Sequence, residues 1–127
     1  DGVFAYQLAV VVDDAAMGVT EVVRGQDLLS STARQIWLYR TLGLPAPAFA
    51  HAPLLLAADG RRLSKRDGDV SLEQLQQRYT PEQIIGKLGW LCGLQPAPDA
   101  RRPEELIEGF SWEKVPRGDI CIPEGVF

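Results

Sequence analysis

Hydrophobic residues near the start of the chain are grouped into short runs that predict β-strands. Residues 4–12 form an apolar run, rich in β-branched side chains, that stops at Asp13 and Asp14. Such a run predicts a strand buried in a parallel or mixed sheet. Residues 19–23 form a second short run and predict another strand. On a strand, Asp13 and Asp14 would point to opposite faces, which disfavours a paired-carboxylate acid–base site.

Helices are predicted from apolar stripes and from the residues that cap them. Ser31 or Thr32 can cap a helix that runs to about Leu42, where Gly43 provides an end. Three further helices are predicted to begin after Ser71, at Pro81 and at Pro103.

The segments between these elements are predicted to be mainly loops. They comprise a Pro/Ala-rich connection in residues 45–53, a short strand in 54–56, a turn in 58–61 and a charged loop in 63–69. The tail, residues 116–127, is predicted to be extended and held by Ile120, Ile122 and Phe127. Because strands precede a run of helices, we expect an α/β segment joined near residue 70 to an α-helical one.

Charge and cysteine content narrow the classes of protein to consider. The net charge of −4 is unlike that of a protein that wraps nucleic acid with a generally basic surface. No apolar run approaches the roughly 20 residues that cross a bilayer. Cys92 and Cys121 are far apart and His51 is the only histidine, so we expect no metal site in this chain. Two reduced cytoplasmic thiols are expected, with a disulfide as the alternative.

Basic residues are concentrated in one loop. Arg61, Arg62, Lys65 and Arg66 lie within six positions, with the hydroxyl of Ser64 among them. Such a loop can reach a triphosphate, where cationic donors stabilise the charge that develops in phosphoryl or nucleotidyl transfer. Taken alone, the charge run would favour a solvated basic hairpin.

The segment 62–66, Arg-Leu-Ser-Lys-Arg, resembles the KMSKS signature of class I aminoacyl-tRNA synthetases, in the K-L-S-K-R form typical of the glutamyl branch. Arg62 stands at the first Lys of the signature, and Lys65 matches the second, on which the family relies for ATP. Residues 6–14, 17–20 and 23–25 resemble the block after the connective insertion of these synthetases. Residues 51–55 resemble the strand before the signature. The order and spacing of these blocks make the resemblance specific.

The resemblance implies an α/β fold. Residues 1–70 would form the second half of a Rossmann-like class I synthetase catalytic domain, which includes the KMSKS-like loop. Residues 71–127 would form a small α-helical stem-contact region with an extended tail.

The resemblance also implies a site. Lys65 is the expected catalytic residue, and Tyr6 and Arg24 are the expected glutamate-binding residues. The expected ATP-binding residues are Arg62, Leu63, Ser64, Lys65 and Arg66. An Arg fork pairs bidentately with a carboxylate and a phenol adds one directional hydrogen bond. Both residues are predicted at strand ends, where open α/β sheets bind ligands. Without the resemblance, Tyr6 would be a core aromatic and Arg24 a surface charge. His51 is expected to be packed or to face solvent rather than to approach adenosine.

Within the glutamyl branch, the last residues of the chain resemble the end of the glutamyl-queuosine tRNA(Asp) synthetases. That resemblance implies ATP-dependent activation of L-glutamate, followed by transfer of the glutamyl group to queuosine at the wobble position of tRNA(Asp). The expected partners are L-glutamate, ATP with Mg²⁺ and tRNA(Asp) bearing queuosine, in a cytoplasmic protein that is a monomer at full length.

The family's HIGH-type motif, and the zinc ligands of some members, belong to the preceding half of the fold. We therefore expect this polypeptide to be inactive alone, and any zinc to lie in that half. Two alternatives stay open. One is a fragment of a full glutamyl-tRNA synthetase that charges tRNA(Glu), and the other is a noncatalytic binding module derived from the synthetase fold.

Overall fold

The computed structural model describes residues 2–3, 5–63 and 71–127. The chain forms two compact units, Asp1–Ala52 and Pro53–Phe127. Residue 70 lies outside the described residues, so the predicted boundary there stays a prediction. Contacts between residues divide the chain after Ala52, because residues 55–56 pair with residues 120–121 of the tail.

The first unit contains two helices and two strands. In chain order they are α1 (Tyr6–Ala16), β1 (Glu21–Gly25), a 3₁₀ turn (Gln26–Leu28), α2 (Leu29–Thr41) and β2 (Ala48–Ala52). Strands β1 and β2 pair in parallel, and α2 makes the crossover that a parallel pair requires. The side chains of Val11 and Tyr39 are buried between these elements, with 0% and 2% exposed.

The predicted strand over residues 4–12 is wrong, because this segment forms helix α1. An apolar run fits either a buried strand or a buried helix. Here Val11 is buried, and the partly buried Gln7 and Asp14 lie about one helical turn before and after it. Asp13 and Asp14 consequently lie on a helix and do not alternate across a strand.

Two other predictions in this unit need correction. Helix α2 begins at Leu29, after the 3₁₀ turn and without a side-chain cap, so Thr32 lies inside the helix. The predicted connection over residues 45–53 contains strand β2. Local composition did not indicate that strand, because its partner β1 is distant in sequence. The predicted second strand and the helix end at Gly43 are confirmed, and Gly43 has the left-handed φ of 66° that favours glycine there.

The second unit contains two short strands and three helices. They are β3 (Leu55–Leu56), α3 (Leu72–Gln76), α4 (Pro81–Leu91), α5 (Pro103–Ile107) and β4 (Ile120–Cys121). The predicted helix starts are confirmed. Ser71 forms a capping box with Gln74, and Thr80 forms one with Gln83. These starts were predictable because each cap is made within three residues.

The predicted extended tail is held against the helices and β3. Strand β4 pairs in parallel with β3. Lys87 of α4 donates from Nζ to the carbonyl oxygen of Val126 at 2.6 Å. The same Nζ lies 4.9 Å from the ring centroid of Tyr79 and 5.9 Å from that of Phe127. Polar and cation–π contacts therefore hold the end of the tail.

Replacing Gly86 of α4 with Ala is expected to destabilise the protein by about 1–3 kcal/mol, the usual range for overpacking. A Cβ at this position would overlap the carbonyl oxygen of Asp99. Gln95 fixes that close approach, since its Nε2 donates to the carbonyl oxygens of Gly86 and Asp99 at 2.7 and 2.9 Å. Helix propensity alone would favour Ala by about 1 kcal/mol, so a net loss is attributable to the contact. Urea unfolding measures the effect. Gly118→Ala is the control, because a Cβ there meets nothing within 4 Å, and equal stability of the two variants would contradict this account.

Candidate functional site

Arg24 lies on β1 beside the single histidine of the chain. The parallel register pairs Arg24 with His51 of β2, and Nε of Arg24 donates to Nε2 of His51 at 3.4 Å. Phe49 lies on the same face of β2, two residues earlier. Its ring centroid is 5.1 Å from the guanidinium carbon and stacks at 6.5 Å on the His51 ring. The pairing of two strands thus places the cation against an imidazole and an aromatic ring.

Helix α2 supplies the fourth member of this cluster, Thr32. Nη2 of Arg24 donates to Oγ1 of Thr32 at 2.8 Å, and that oxygen is 3.0 Å from Nε2 of His51. The carbonyl oxygen of Leu28 lies 3.4 Å from Oγ1 of Thr32 and 3.5 Å from Nη2 of Arg24. Arg24, Thr32 and His51 therefore form a closed triangle in which each side chain contacts the other two.

The hydrogen bonds assign a protonation state to His51. A guanidinium can only donate, so Nε2 of His51 accepts and the imidazole proton is on Nδ1. Burial, and then the positive charge of Arg24, lower the pKa of His51 below its usual value of 6.5. The imidazole is accordingly neutral at pH 7 and above. The pKa of the buried Tyr39 phenol is raised, first by burial and then by the negative charge of Asp14. The positive charge of Arg24 offsets part of this rise.

No carboxylate among the described residues forms a salt bridge with Arg24. Across the described part of the chain, its hydrogen-bond partners are a hydroxyl, an imidazole and a carbonyl, all of them uncharged. Within that same part, its Nη1 has no hydrogen-bond partner. A partly buried cation in a purely structural role is usually paired with a carboxylate. This arrangement instead leaves a positively charged edge available to an anion.

Tyr6 is the first residue of α1 and is 61% exposed. The prediction that it lies at a strand end is therefore wrong. Its neighbour Gln7 is fixed on α2, because Nε2 of Gln7 donates to Oγ of Ser31 at 3.2 Å and Nε2 of Gln35 donates to Oε1 of Gln7 at 2.7 Å. Ser31 directly precedes Thr32, so one turn of α2 anchors both the start of α1 and Arg24. No hydrogen bond joins Tyr6 to Arg24 among the described residues.

Two of the predicted ATP-binding residues are described, and both lie in the second unit. Arg62 is exposed and forms an antiparallel bridge with Leu56, and Leu63 is partly buried. The predicted turn before them is confirmed, with Gly60 at φ 83°. Ser64, Lys65 and Arg66 lie outside the described residues. A cleft of about 480 Å³ adjoins the turn and is lined by Ala57, Ala58, Asp59, Arg61 and Glu124.

Comparison with known proteins assigns the family. The model of the tRNA synthetases class I (E and Q), catalytic domain, matches residues 1–117. The chain belongs to this family. The predicted α/β class I synthetase fold is thereby confirmed, and so is the predicted resemblance to the glutamyl branch.

Curated relatives of this synthetase chain carry two names. It is 57% identical to the Glutamyl-Q tRNA(Asp) synthetase of Symbiobacterium thermophilum, over 97% of the chain and 38% of the relative. It is 55% identical to the Glutamate–tRNA ligase of Synechococcus sp., over 87% of the chain and 24% of the relative. The predicted resemblance to glutamyl-queuosine synthetases is confirmed by several such relatives. The chain spans 38% of the length of the first of them.

A solved structure of the same branch has a similar fold. The crystal structure of a glutamate tRNA ligase from Elizabethkingia meningosepticum, in complex with its amino acid, matches with a TM-score of 0.76 and 27% identity. It covers 96% of this synthetase chain and 28% of the ligase.

Two negative findings apply to the described residues of this synthetase chain. They contain no group of three or more His, Cys, Asp or Glu side chains that could hold a metal ion. None of their helices combines the length and apolar character needed to cross a membrane.

Sequence reasoning missed part of the Arg24 cluster. The sequence predicts Thr32 only as a possible helix cap, and it predicts that Phe49 lies in a connection. The sequence did contain a signal for the contact between Arg24 and His51, because each lies in one of the motif blocks, residues 23–25 and 51–55. If both blocks are strands joined by one helix, a parallel pairing brings these two residues onto neighbouring strands.

Proposed function

We propose that the complete protein containing this chain activates L-glutamate with ATP and transfers the glutamyl group to queuosine at the wobble position of tRNA(Asp). Membership of the class I (E and Q) synthetase family supports the activation step. The names of several relatives support the acceptor. The single observation that carries the proposal is the guanidinium of Arg24, whose hydrogen-bond partners among the described residues are all uncharged.

Arg24 and Tyr6 are proposed to bind glutamate. The α-carboxylate of glutamate must attack the α-phosphorus of ATP, so one of its oxygens has to stay free. We therefore assign Arg24 to the side-chain carboxylate, which a guanidinium binds more strongly than the amide of glutamine. The exposed phenol of Tyr6 would add a directional hydrogen bond. This pairing gives selectivity for an acidic amino acid.

The signature segment is proposed to bind ATP. Lys65, with Ser64 and the two flanking arginines, would contact the phosphates as negative charge builds on the departing pyrophosphate. Leu63 would pack beside the nucleotide. Mg²⁺ would enter with ATP and neutralise phosphate charge, and we assign no residue of this chain to hold it.

The reaction is then two substitutions. The P–O bond to glutamate forms as pyrophosphate leaves, which gives glutamyl-adenylate. An acceptor hydroxyl of queuosine next attacks the activated carbonyl carbon, and AMP leaves. The residues of this chain would act by binding and orienting both substrates so that the reacting atoms meet.

A second candidate function is charging of tRNA(Glu). The 55% identity to a Glutamate–tRNA ligase favours it, because that value is close to the 57% found for a Glutamyl-Q tRNA(Asp) synthetase. The two candidates share the activation step and differ only in the acceptor.

The test uses the purified complete protein, labelled glutamate and ATP. Each reaction contains tRNA(Asp) with queuosine, tRNA(Asp) with guanine at the wobble position, or tRNA(Glu). We expect label only on the first, and ATP–pyrophosphate exchange that requires glutamate. Label on tRNA(Glu) instead would establish the second candidate. An absence of glutamate-dependent exchange, with and without each tRNA, would reject both.

A further inference from the structure

We propose that Thr32 and His51 are positioning residues that orient Arg24 for the glutamate carboxylate. The inference rests on the proposed function, because it assumes that Arg24 binds glutamate. It assigns to α2 and β2 a role in amino-acid recognition, although neither Thr32 nor His51 is proposed to touch the substrate.

The hydrogen bonds that Arg24 makes to side chains occupy one edge of its guanidinium group. Nε donates to His51 and Nη2 donates to Thr32, and the two acceptor atoms are only 3.0 Å apart. They therefore occupy the Nε–Nη2 edge together, in the manner of the two oxygens of a carboxylate. Nη2 also donates to the carbonyl oxygen of Leu28 at 3.5 Å, so the part of the guanidinium group left for the ligand is Nη1, which has no hydrogen-bond partner among the described residues.

This anchoring removes the freedom that usually weakens an arginine contact. An unrestrained Arg side chain samples many rotamers, and that freedom is lost when it binds a ligand. Two hydrogen bonds on one edge define the plane of the guanidinium group, and the Phe49 ring contacts it at 5.1 Å. The ordering is thus complete before glutamate arrives, which favours binding.

The anchoring partners are also suited to leave the positive charge intact. A carboxylate in place of Thr32 or His51 would hold Arg24 equally well, but it would compete with the substrate for the same cation. Both partners are neutral, and the lowered pKa of His51 keeps Nε2 free to accept. Thr32 is only 9% exposed, so water does not easily replace its hydroxyl.

The test compares paired variants of the complete protein by glutamate-dependent ATP–pyrophosphate exchange. Thr32→Val removes the hydroxyl and keeps the shape, whereas Thr32→Ser retains the hydroxyl. We expect Thr32→Val to raise KM for glutamate roughly fivefold to tenfold, the effect of one lost hydrogen bond. KM for ATP and the melting temperature should change little, and Thr32→Ser should restore KM for glutamate.

His51 supplies an independent pair, which is informative even if Thr32→Val does not fold. Gln can present an oxygen near the position of Nε2, and Leu cannot. His51→Leu is expected to raise KM for glutamate, and His51→Gln is expected to restore most of the affinity. In an Arg24→Gln background, neither Thr32→Val nor His51→Leu should raise that KM further, because their effect acts through Arg24.

Three results would overturn the inference. The first is an unchanged KM for glutamate in both Thr32→Val and His51→Leu. The second is an equal rise in KM for glutamate and in KM for ATP, together with a lower melting temperature, which indicates a structural role. The third is a wild-type KM for glutamate in Arg24→Gln, which would show that glutamate binds elsewhere. The proposed function itself is rejected only by an absence of glutamate-dependent exchange in the unmodified protein, with and without each tRNA, so the two failures are distinguishable.

Discussion

Replacing Arg24 with Gln is expected to lower kcat/KM for glutamate by roughly 10²- to 10⁴-fold in the complete protein. A hydrogen bond to a charged group contributes about 1.5–3 kcal/mol, and Arg24 is proposed to make two of them to one carboxylate. Tenfold in rate corresponds to about 1.4 kcal/mol, so loss of both bonds gives this range. KM for ATP should stay near the wild-type value, and steady-state exchange kinetics measure both quantities.

Two controls separate the shape of the Arg24 side chain from its charge. Arg24→Lys keeps the charge but loses the planar fork, and its kcat/KM for glutamate should remain well below that of the wild type. Arg34→Gln removes a charge from an exposed position of α2 and should have little effect. Wild-type kinetics in Arg24→Gln would show that glutamate binds elsewhere.

Replacing Lys65 with Met is expected to lower kcat by roughly 10²- to 10³-fold, the usual effect of removing one donor from a developing charge. Met retains the length of the side chain and removes only the ammonium. KM for glutamate should change little, because Lys65 is proposed to act on the phosphates of ATP. Single-turnover formation of glutamyl-adenylate measures the step directly.

The Lys65 prediction also has a matched control. Arg117→Met removes a cation from an exposed position of the second unit and should leave kcat unchanged. If Lys65→Met raised KM for glutamate and left kcat intact, the assignment of Lys65 to pyrophosphate departure would be wrong. Arg24→Gln and Lys65→Met together distinguish effects on glutamate binding from effects on the chemistry of ATP.

Local signals predicted the helices of the second unit well. Ser71 with Gln74 and Thr80 with Gln83 form capping boxes within three residues, so the sequence contains all the information that such a helix start needs. The helix α1 was missed because its apolar residues fit a buried strand equally well. Strand β2 was missed because a parallel strand is defined by a partner outside its own segment.

The candidate site could be predicted only in part. Arg24 was identified through a motif, and the neighbours that hold it were not. Thr32 is 8 residues from Arg24 in sequence, and His51 is 27 residues away. Only the register of β1 on β2, and the path of α2 beside them, brings the three side chains together. The roles of Tyr6, Arg24 and the signature residues stay predictions.

The family assignment and the acceptor assignment have different support. The family model matches residues 1–117, which covers both Arg24 and the signature segment. The acceptor is named only by relatives of which this chain spans about two-fifths, for example 38% and 39% of their lengths. The tRNA specificity of the complete protein is consequently decided by the labelling experiment and not by similarity.

The central proposal is that an anchored Arg24 binds glutamate and that the signature Lys65 binds ATP. A crystal structure of the complete protein with glutamate and a non-hydrolysable ATP analogue tests it most directly. We predict that the Nη1 edge of Arg24 and the phenol of Tyr6 lie within about 3.2 Å of carboxylate oxygens of glutamate. Nζ of Lys65 is predicted to contact a phosphate of the analogue. Both ligands bound in a cleft that neither Arg24 nor Lys65 reaches would contradict the claim.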